Sequence, residues 1–154
     1  MDFSVIIINY KQKDFILKCV ESLRKNLKCL FEIIIVNNSP EDDLSVLKGV
    51  TIINNSNKGF SQANNLAAKH AQGNYLLFLN ADTVLKKDFS QGFLSEFKGK
   101  EFGAAGLGLI NPDGGYQLSF WNENKFFKEI KNKKFEKEFK NKNQVVTKEY
   151  NDII

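Results

Sequence analysis

Four short apolar runs, at 3–8, 31–36, 50–53 and 75–79, each stop at an asparagine, and between them the spacing of apolar residues switches to a helical period. This alternation limits the fold more than any other feature. Runs that are apolar on successive residues suit strands covered on both faces. The intervals between them are long enough for the crossovers that parallel strands require. Residues 13–27 place Phe15, Ile16, Cys19, Val20, Leu23 and Leu27 on one stripe, with Lys18, Glu21, Arg24 and Lys25 outside it, which is an amphipathic helix. Residues 60–71 do the same with Phe60, Ala63, Leu66, Ala67 and Ala71, and Gly73 follows where a helix C-terminus commonly has a glycine. A weaker helix is expected at 41–47 and a further one at 88–97. The strand at 75–79 is expected to be buried. A glycine-rich strand at 103–110 and the turn Asn111-Pro112-Asp113-Gly114-Gly115 predict a hairpin with 116–120. The pattern predicts an α/β fold over residues 1–120, a mainly parallel sheet with helices on both faces. Residues 121–154 are rich in Lys and Phe and are read as amphipathic helix or an arm.

With 154 residues, 42% of them hydrophobic and 26% charged, the chain has the balance of a globular domain and the length to bury a core without disulfides. Cys19 and Cys29 make no framework and are expected to be free thiols in a reducing cytoplasm. No run nears the roughly 20 apolar residues of a membrane span, and no basic leader precedes the first apolar stretch. Residues 125–142 hold eight Lys against three Glu, so the net charge of +4 sits there and the remainder is slightly negative. A nucleic-acid partner is therefore not expected. Phe residues interleave with those lysines, which suits either a peripheral contact with anionic lipid at the inner face of the membrane or a solvated helix whose Phe residues pack on the body.

Open parallel sheets bind ligands beyond the carboxyl ends of their strands. Those ends are Asn9-Tyr10, Asn37-Asn38-Ser39, the loop from Asn54 to Gly59, and Asn80-Ala81-Asp82. Polar residues end strands commonly, so one such end says little, and four on one rim say more. The chain lacks G-x-x-x-x-G-K-[ST], and no G-x-G-x-x-G follows the first strand, which argues against a P-loop hydrolase and a dinucleotide-dependent dehydrogenase. His70, the only histidine, lies among helix alanines and suggests no triad. Asp82 follows an apolar strand, so its carboxylate needs a partner. A divalent cation bridging to a diphosphate would supply one, and so would the N-terminus of a following helix.

Four segments carry a resemblance. They are Ser4-Val5-Ile6-Ile7-Ile8-Asn9-Tyr10, Ile35-Val36-Asn37-Asn38-Ser39, Asn57-Lys58-Gly59-Phe60-Ser61-Gln62-Ala63-Asn64-Asn65, and Gly73-Asn74-Tyr75-Leu76-Leu77-Phe78-Leu79-Asn80-Ala81-Asp82-Thr83. In order and spacing, over about residues 3–119, the chain resembles the family 2 glycosyltransferases, in particular their rhamnosyltransferase-like branch. The resemblance implies a GT-A fold that binds a UDP- or dTDP-linked sugar and transfers the sugar, with inversion, to a glycan or lipid-linked acceptor. By position, Asn9, Tyr10 and Asn38 would hold the nucleoside, and Lys58, Gly59 and Asn64 would lie along the base and ribose-phosphate path. Asn80, Ala81 and Asp82 would form the D-x-D-type motif, with Asp82 coordinating Mg2+ or Mn2+.

The sequence departs from the family in two respects. Asn37 and Asn80 stand where the family often has Asp, which leaves fewer charges facing the metal. An inverting transfer also needs a carboxylate base beside the acceptor hydroxyl, and nothing after Ser119 matches the acceptor-side segment that carries it. Glu123, Glu129, Glu136, Glu138, Glu149 and Asp152 all lie in Lys-rich or terminal sequence. The expectation is a donor-binding portion without its acceptor half, the alternative being a nucleotide-binding remnant or interaction module that does not turn over.

Overall fold

The computed structural model describes residues 1–111 and 113–117. Strands β1 (Phe3–Asn9), β2 (Phe31–Asn37), β3 (Thr51–Asn54) and β4 (Tyr75–Leu79) form one parallel sheet in the order β3-β2-β1-β4. The register pairs Phe3 with Phe31 and Tyr75 at one end, and Asn9 with Asn37 at the other. Helix α1 (Lys13–Asn26) joins β1 to β2, α2 (Phe60–Ala68) joins β3 to β4, and α3 (Ser90–Phe97) follows β4. The chain divides into a unit of Met1–Lys98 and a second unit that begins at Gly99. Within the second, β5 (Leu109–Ile110) pairs antiparallel with β6 (Tyr116–Gln117).

The expected α/β architecture, with a parallel sheet and helices on both faces, is what forms. The path from β1 through α1 to β2 runs one way across the sheet, and the path from β3 through α2 to β4 runs the other way. Right-handed crossovers then put the two helices on opposite faces. β1 is buried at every position. Val5, Ile7, Ile33 and Ile35 pack with Ile16, Cys19, Val20 and Leu23 of α1, while Ile6, Ile8, Ile34 and Val36 pack against Ala63 and Ala67 of α2. Helix α3 is anchored by Phe93, whose ring meets Phe3 and Tyr75 with centroids 5.3 and 5.2 Å apart.

Five expectations are corrected. Residues 41–47 form turns and no helix, because the Asp42 carbonyl accepts from Asn37 Nδ2 and Ser45 N–H turns back to Asp43 Oδ1. Leu44 and Leu47 still reach the core from those turns. Helix α2 ends at Ala68, short of Ala71, and Gly73 serves close packing rather than a helix cap. A Cβ on Gly73 would lie 2.4 Å from the Ser4 nitrogen, where the Gln72 and Gly73 N–H groups donate to Ser4 Oγ. Helix α3 starts at Ser90, two residues later than expected. β4 is half-buried on one face and exposed on the other, since α2 covers β1 and β2 and leaves Leu76 and Phe78 exposed. Of 103–110, only Leu109–Ile110 is strand, as the glycines before it disfavour one. The hairpin itself forms across Asn111 to Gly115. The readings of 121–154 lie outside the described residues.

Candidate active site

The strand order reverses between β1 and β4, because the chain leaves β1 toward β2 and returns on its other side. Ligand crevices in open α/β sheets form beyond the carboxyl ends of the strands at such a reversal. Asn9-Tyr10 and Asn80-Ala81-Asp82 occupy those two ends, and the tips of β2 and β3 extend the same rim.

At the tips of β1, β2 and β3, register sets Asn9 beside Asn37 and Asn37 beside Asn54. The side chains form a bonded ladder. Asn9 Nδ2 donates to Asn37 Oδ1 at 2.8 Å and to Asp42 Oδ2 at 2.9 Å, and Asn9 Oδ1 accepts from Gln12 N–H at 3.1 Å. Asn37 Nδ2 donates to the Asp42 carbonyl and to Asn54 Oδ1, while its Oδ1 also accepts from Ser39 N–H. Asn38 Oδ1 accepts from Asn55 Nδ2 at 2.9 Å. Asn9, Asn37, Asn38 and Ser39 are all buried. Asn9 thus lies beneath the rim with its amide engaged by the protein. Tyr10, at 50% exposure, stands on the rim with the Lys11 ammonium 5.4 Å from its ring centroid. Lys11 has φ 56°, a left-handed conformation that a non-glycine residue keeps only when its surroundings over-determine it. The Lys11 N–H donates to Ser39 Oγ at 2.7 Å, which supplies one such constraint.

Asn80 and Asp82 are both exposed just past β4, and Ala81 between them is buried in the α1-side core, which anchors the tip. Thr83 N–H closes a turn onto the Asn80 carbonyl. The segment after Asp82 is tied to α1, since Asn26 Nδ2 donates to the Leu85 carbonyl at 2.6 Å and Leu85 N–H donates to Ser22 Oγ at 2.9 Å. Asp88 holds the far end, accepting from Lys28 N–H and from the N–H and hydroxyl of Ser90. Burial works against the Asp88 carboxylate, but these hydrogen bonds together hold its pKa below the ordinary value. Helix α3 begins eight residues after Asp82, so Asp82 is not its N-cap. Burial pushes the Cys19 thiol up to about 12, and the Asp82 carboxylate adds to that shift.

Lys58 and Gly59 are exposed at the start of α2, and Gly59, at φ 100°, needs the freedom of glycine. Asn64 sits within α2, donating to the Phe60 carbonyl. Among the described residues no hydrogen bond joins Lys58, Asn80 or Asp82 to the asparagine ladder. His70 is exposed on the surface against the Leu66 carbonyl. Asp42 was missed in the sequence because it fell within the expected helix. The signal was Pro40 followed by three acids, Glu41, Asp42 and Asp43, since Pro and Asp favour a turn.

No three His, Cys, Asp or Glu side chains cluster as a metal site among the described residues. Asp82 with Asn80 is nonetheless a donor set that fits a hard cation taking most of its ligands from phosphate and water, as Mg2+ does. No helix among the described residues is long and apolar enough to cross a membrane.

The chain matches Glycosyl transferase family 2 over residues 4–149, and it belongs to that family. The match continues past Ser119, where the motif resemblance stops. An uncharacterized glycosyltransferase of Rickettsia felis is 33% identical over 92 residues, covering 55% of this chain and 15% of its own length. The UDP-Glc:alpha-D-GlcNAc-diphosphoundecaprenol beta-1,3-glucosyltransferase WfaP of Escherichia coli is 40% identical over 86 residues, which are 51% of this chain and 34% of WfaP. The crystal structure of residues 1–349 of S. aureus TarS superposes with a TM-score of 0.54 at 25% identity, over 62% of this chain and 33% of that one. The same segment of TarS in complex with UDP-GlcNAc superposes with a TM-score of 0.51 at 25% identity, over 62% of this chain and 32% of that one. The GT-A fold expected from the motifs is the fold found. The chain spans about a third or less of the length of these relatives.

Proposed function

We propose that this chain carries the donor-binding portion of a metal-dependent inverting glycosyltransferase that uses a UDP-linked sugar. One observation carries the reading. Asp82 stands exposed at the carboxyl end of β4, beside the strand-order reversal, in a chain of this family. WfaP is named for a UDP-glucose donor and a diphosphoundecaprenol-linked acceptor, and TarS is described with UDP-GlcNAc, which favours UDP over dTDP and a lipid-linked acceptor.

In this reading the acceptor hydroxyl attacks the anomeric carbon as the bond from that carbon to the diphosphate oxygen breaks. The hydroxyl proton passes to a carboxylate base. None of the described residues is assigned that role, and the candidate acids from Glu123 onward lie outside them. Asp82 would hold Mg2+ or Mn2+, and the cation would offset the charge growing on the leaving UDP. Tyr10 and Lys11 face the nucleotide from the tip of β1, and Lys58 from the start of α2. Titration of the chain with UDP-GlcNAc, with and without Mn2+, tests the reading. Binding that Mn2+ strengthens, with the strengthening lost in Asp82→Ala, is expected. Binding indifferent to both overturns the metal-diphosphate assignment.

A further inference from the structure

Asp42 belongs to none of the motifs that carry the family resemblance, yet it braces two strand tips at once. Its Oδ2 accepts from Asn9 Nδ2 at 2.9 Å, its carbonyl accepts from Asn37 Nδ2 at 3.1 Å, and its N–H donates to the Ser39 carbonyl at 2.9 Å. With both Asn9 amide protons committed to Asn37 and Asp42, only one orientation of that amide satisfies its surroundings. Reversing it would set the Asn9 oxygen against a carboxylate and its NH2 against the Gln12 N–H. The orientation observed points Oδ1 at Gln12 N–H and closes the turn over residues 10–12. That bond, and the one from Lys11 N–H to Ser39 Oγ, hold Lys11 in its left-handed conformation.

We propose that Asp42 is a positioning residue of the donor site. By accepting from Asn9 it fixes the amide that closes the turn at 10–12, and so holds Tyr10 and Lys11 at the rim where a nucleoside diphosphate binds. This inference rests on the donor-site reading above. Asp42 acts through Asn9 and is not itself a ligand contact.

The test titrates UDP in Mn2+ against the full chain, unaltered and as Asp42→Ala and Asp42→Asn, and follows amide hydrogen exchange at Gln12 without ligand. Asp42→Ala removes one part-buried hydrogen bond to a carboxylate and is expected to weaken UDP binding about tenfold, with Gln12 exchanging faster. Asp42→Asn keeps an acceptor oxygen and restores both readings, which a mere loss of stability would not arrange. Should Asp42→Ala fail to fold, Asp42→Glu, which moves the carboxylate by one methylene, replaces it with the same expected loss. The inference alone is overturned if UDP binds unaltered chain and Asp42→Ala equally, or if Asp42→Asn loses as much as Asp42→Ala. If the unaltered chain binds no UDP, the donor-site reading is overturned and the inference falls with it.

Discussion

Asn37 uses both amide protons as donors and its oxygen as a double acceptor, all within the protein. That accounting explains why an amide stands where the family often has a carboxylate. The Asp42 carbonyl and Asn54 Oδ1 both present oxygens to it, and a carboxylate could donate to neither. Asn37→Asp is therefore expected to cost roughly 2–5 kcal/mol in urea unfolding, from two lost hydrogen bonds and a buried charge. A loss under about 1 kcal/mol would show that the ladder rearranges freely. Gly59 gives a cleaner case of backbone strain, since a Cβ there would meet nothing within 4 Å while φ is 100°. Gly59→Ala should cost roughly 1–3 kcal/mol by urea unfolding, with no steric contribution. An unchanged midpoint would mean that the loop relaxes out of this conformation. The polar strand tips were legible in the sequence, but their partners were not. Hydrogen bonds between residues 28 apart, such as Asn9 to Asn37, depend on register, which the local pattern does not encode.

At the scale of elements, α1 was readable because most of its apolar stripe, Ile16, Cys19, Val20, Leu23 and Leu27, packs on one face of the sheet, although Phe15, expected on that stripe, is exposed. The turns at 41–47 were not, because Asp42 bonds to the strand tips through its carboxylate and its carbonyl, Asp43 accepts from Ser45 N–H within the turn, and these bonds outweigh a weak helical pattern. β4 looked buried because its apolar run is continuous, whereas its exposed face depends on where α2 packs. Helix α1 also carries a pH dependence. The Cys19 thiol ionises near 9.0 when exposed and near 12 in the folded chain. Between those values the unfolded chain has released a proton that the folded chain keeps, so rising pH favours unfolding by about 1.4 kcal/mol per unit. Below 9 the thiol is neutral in both states and contributes no slope. Urea midpoints measured from pH 8 to 10.5 should fall more steeply for the unaltered chain than for Cys19→Ala. Parallel curves would mean that the buried thiol opens to solvent before it ionises.

At the scale of the whole donor site, the topology divides the labour. The tips of β1, β2 and β3 are joined through the asparagine ladder and Asp42, while the tip of β4 is tied instead to α1 through Leu85. In the proposed reading the first group faces the nucleoside and the second the diphosphate with its cation. A ligand that lacks phosphate should then sense only the first group. Uridine binding is expected to weaken in Asp42→Ala and to ignore both Mn2+ and Asp82→Ala. UDP binding should respond to both substitutions, and the double variant should lose the sum of the two single losses in free energy, to within about 0.5 kcal/mol. Such additivity is what two separately anchored ends require, because among the described residues no shared hydrogen bond passes a change at one tip to the other. A coupling beyond about 1 kcal/mol, or uridine binding that depends on Asp82, would place nucleoside and diphosphate on a single connected set of residues and would reverse this assignment of the rim.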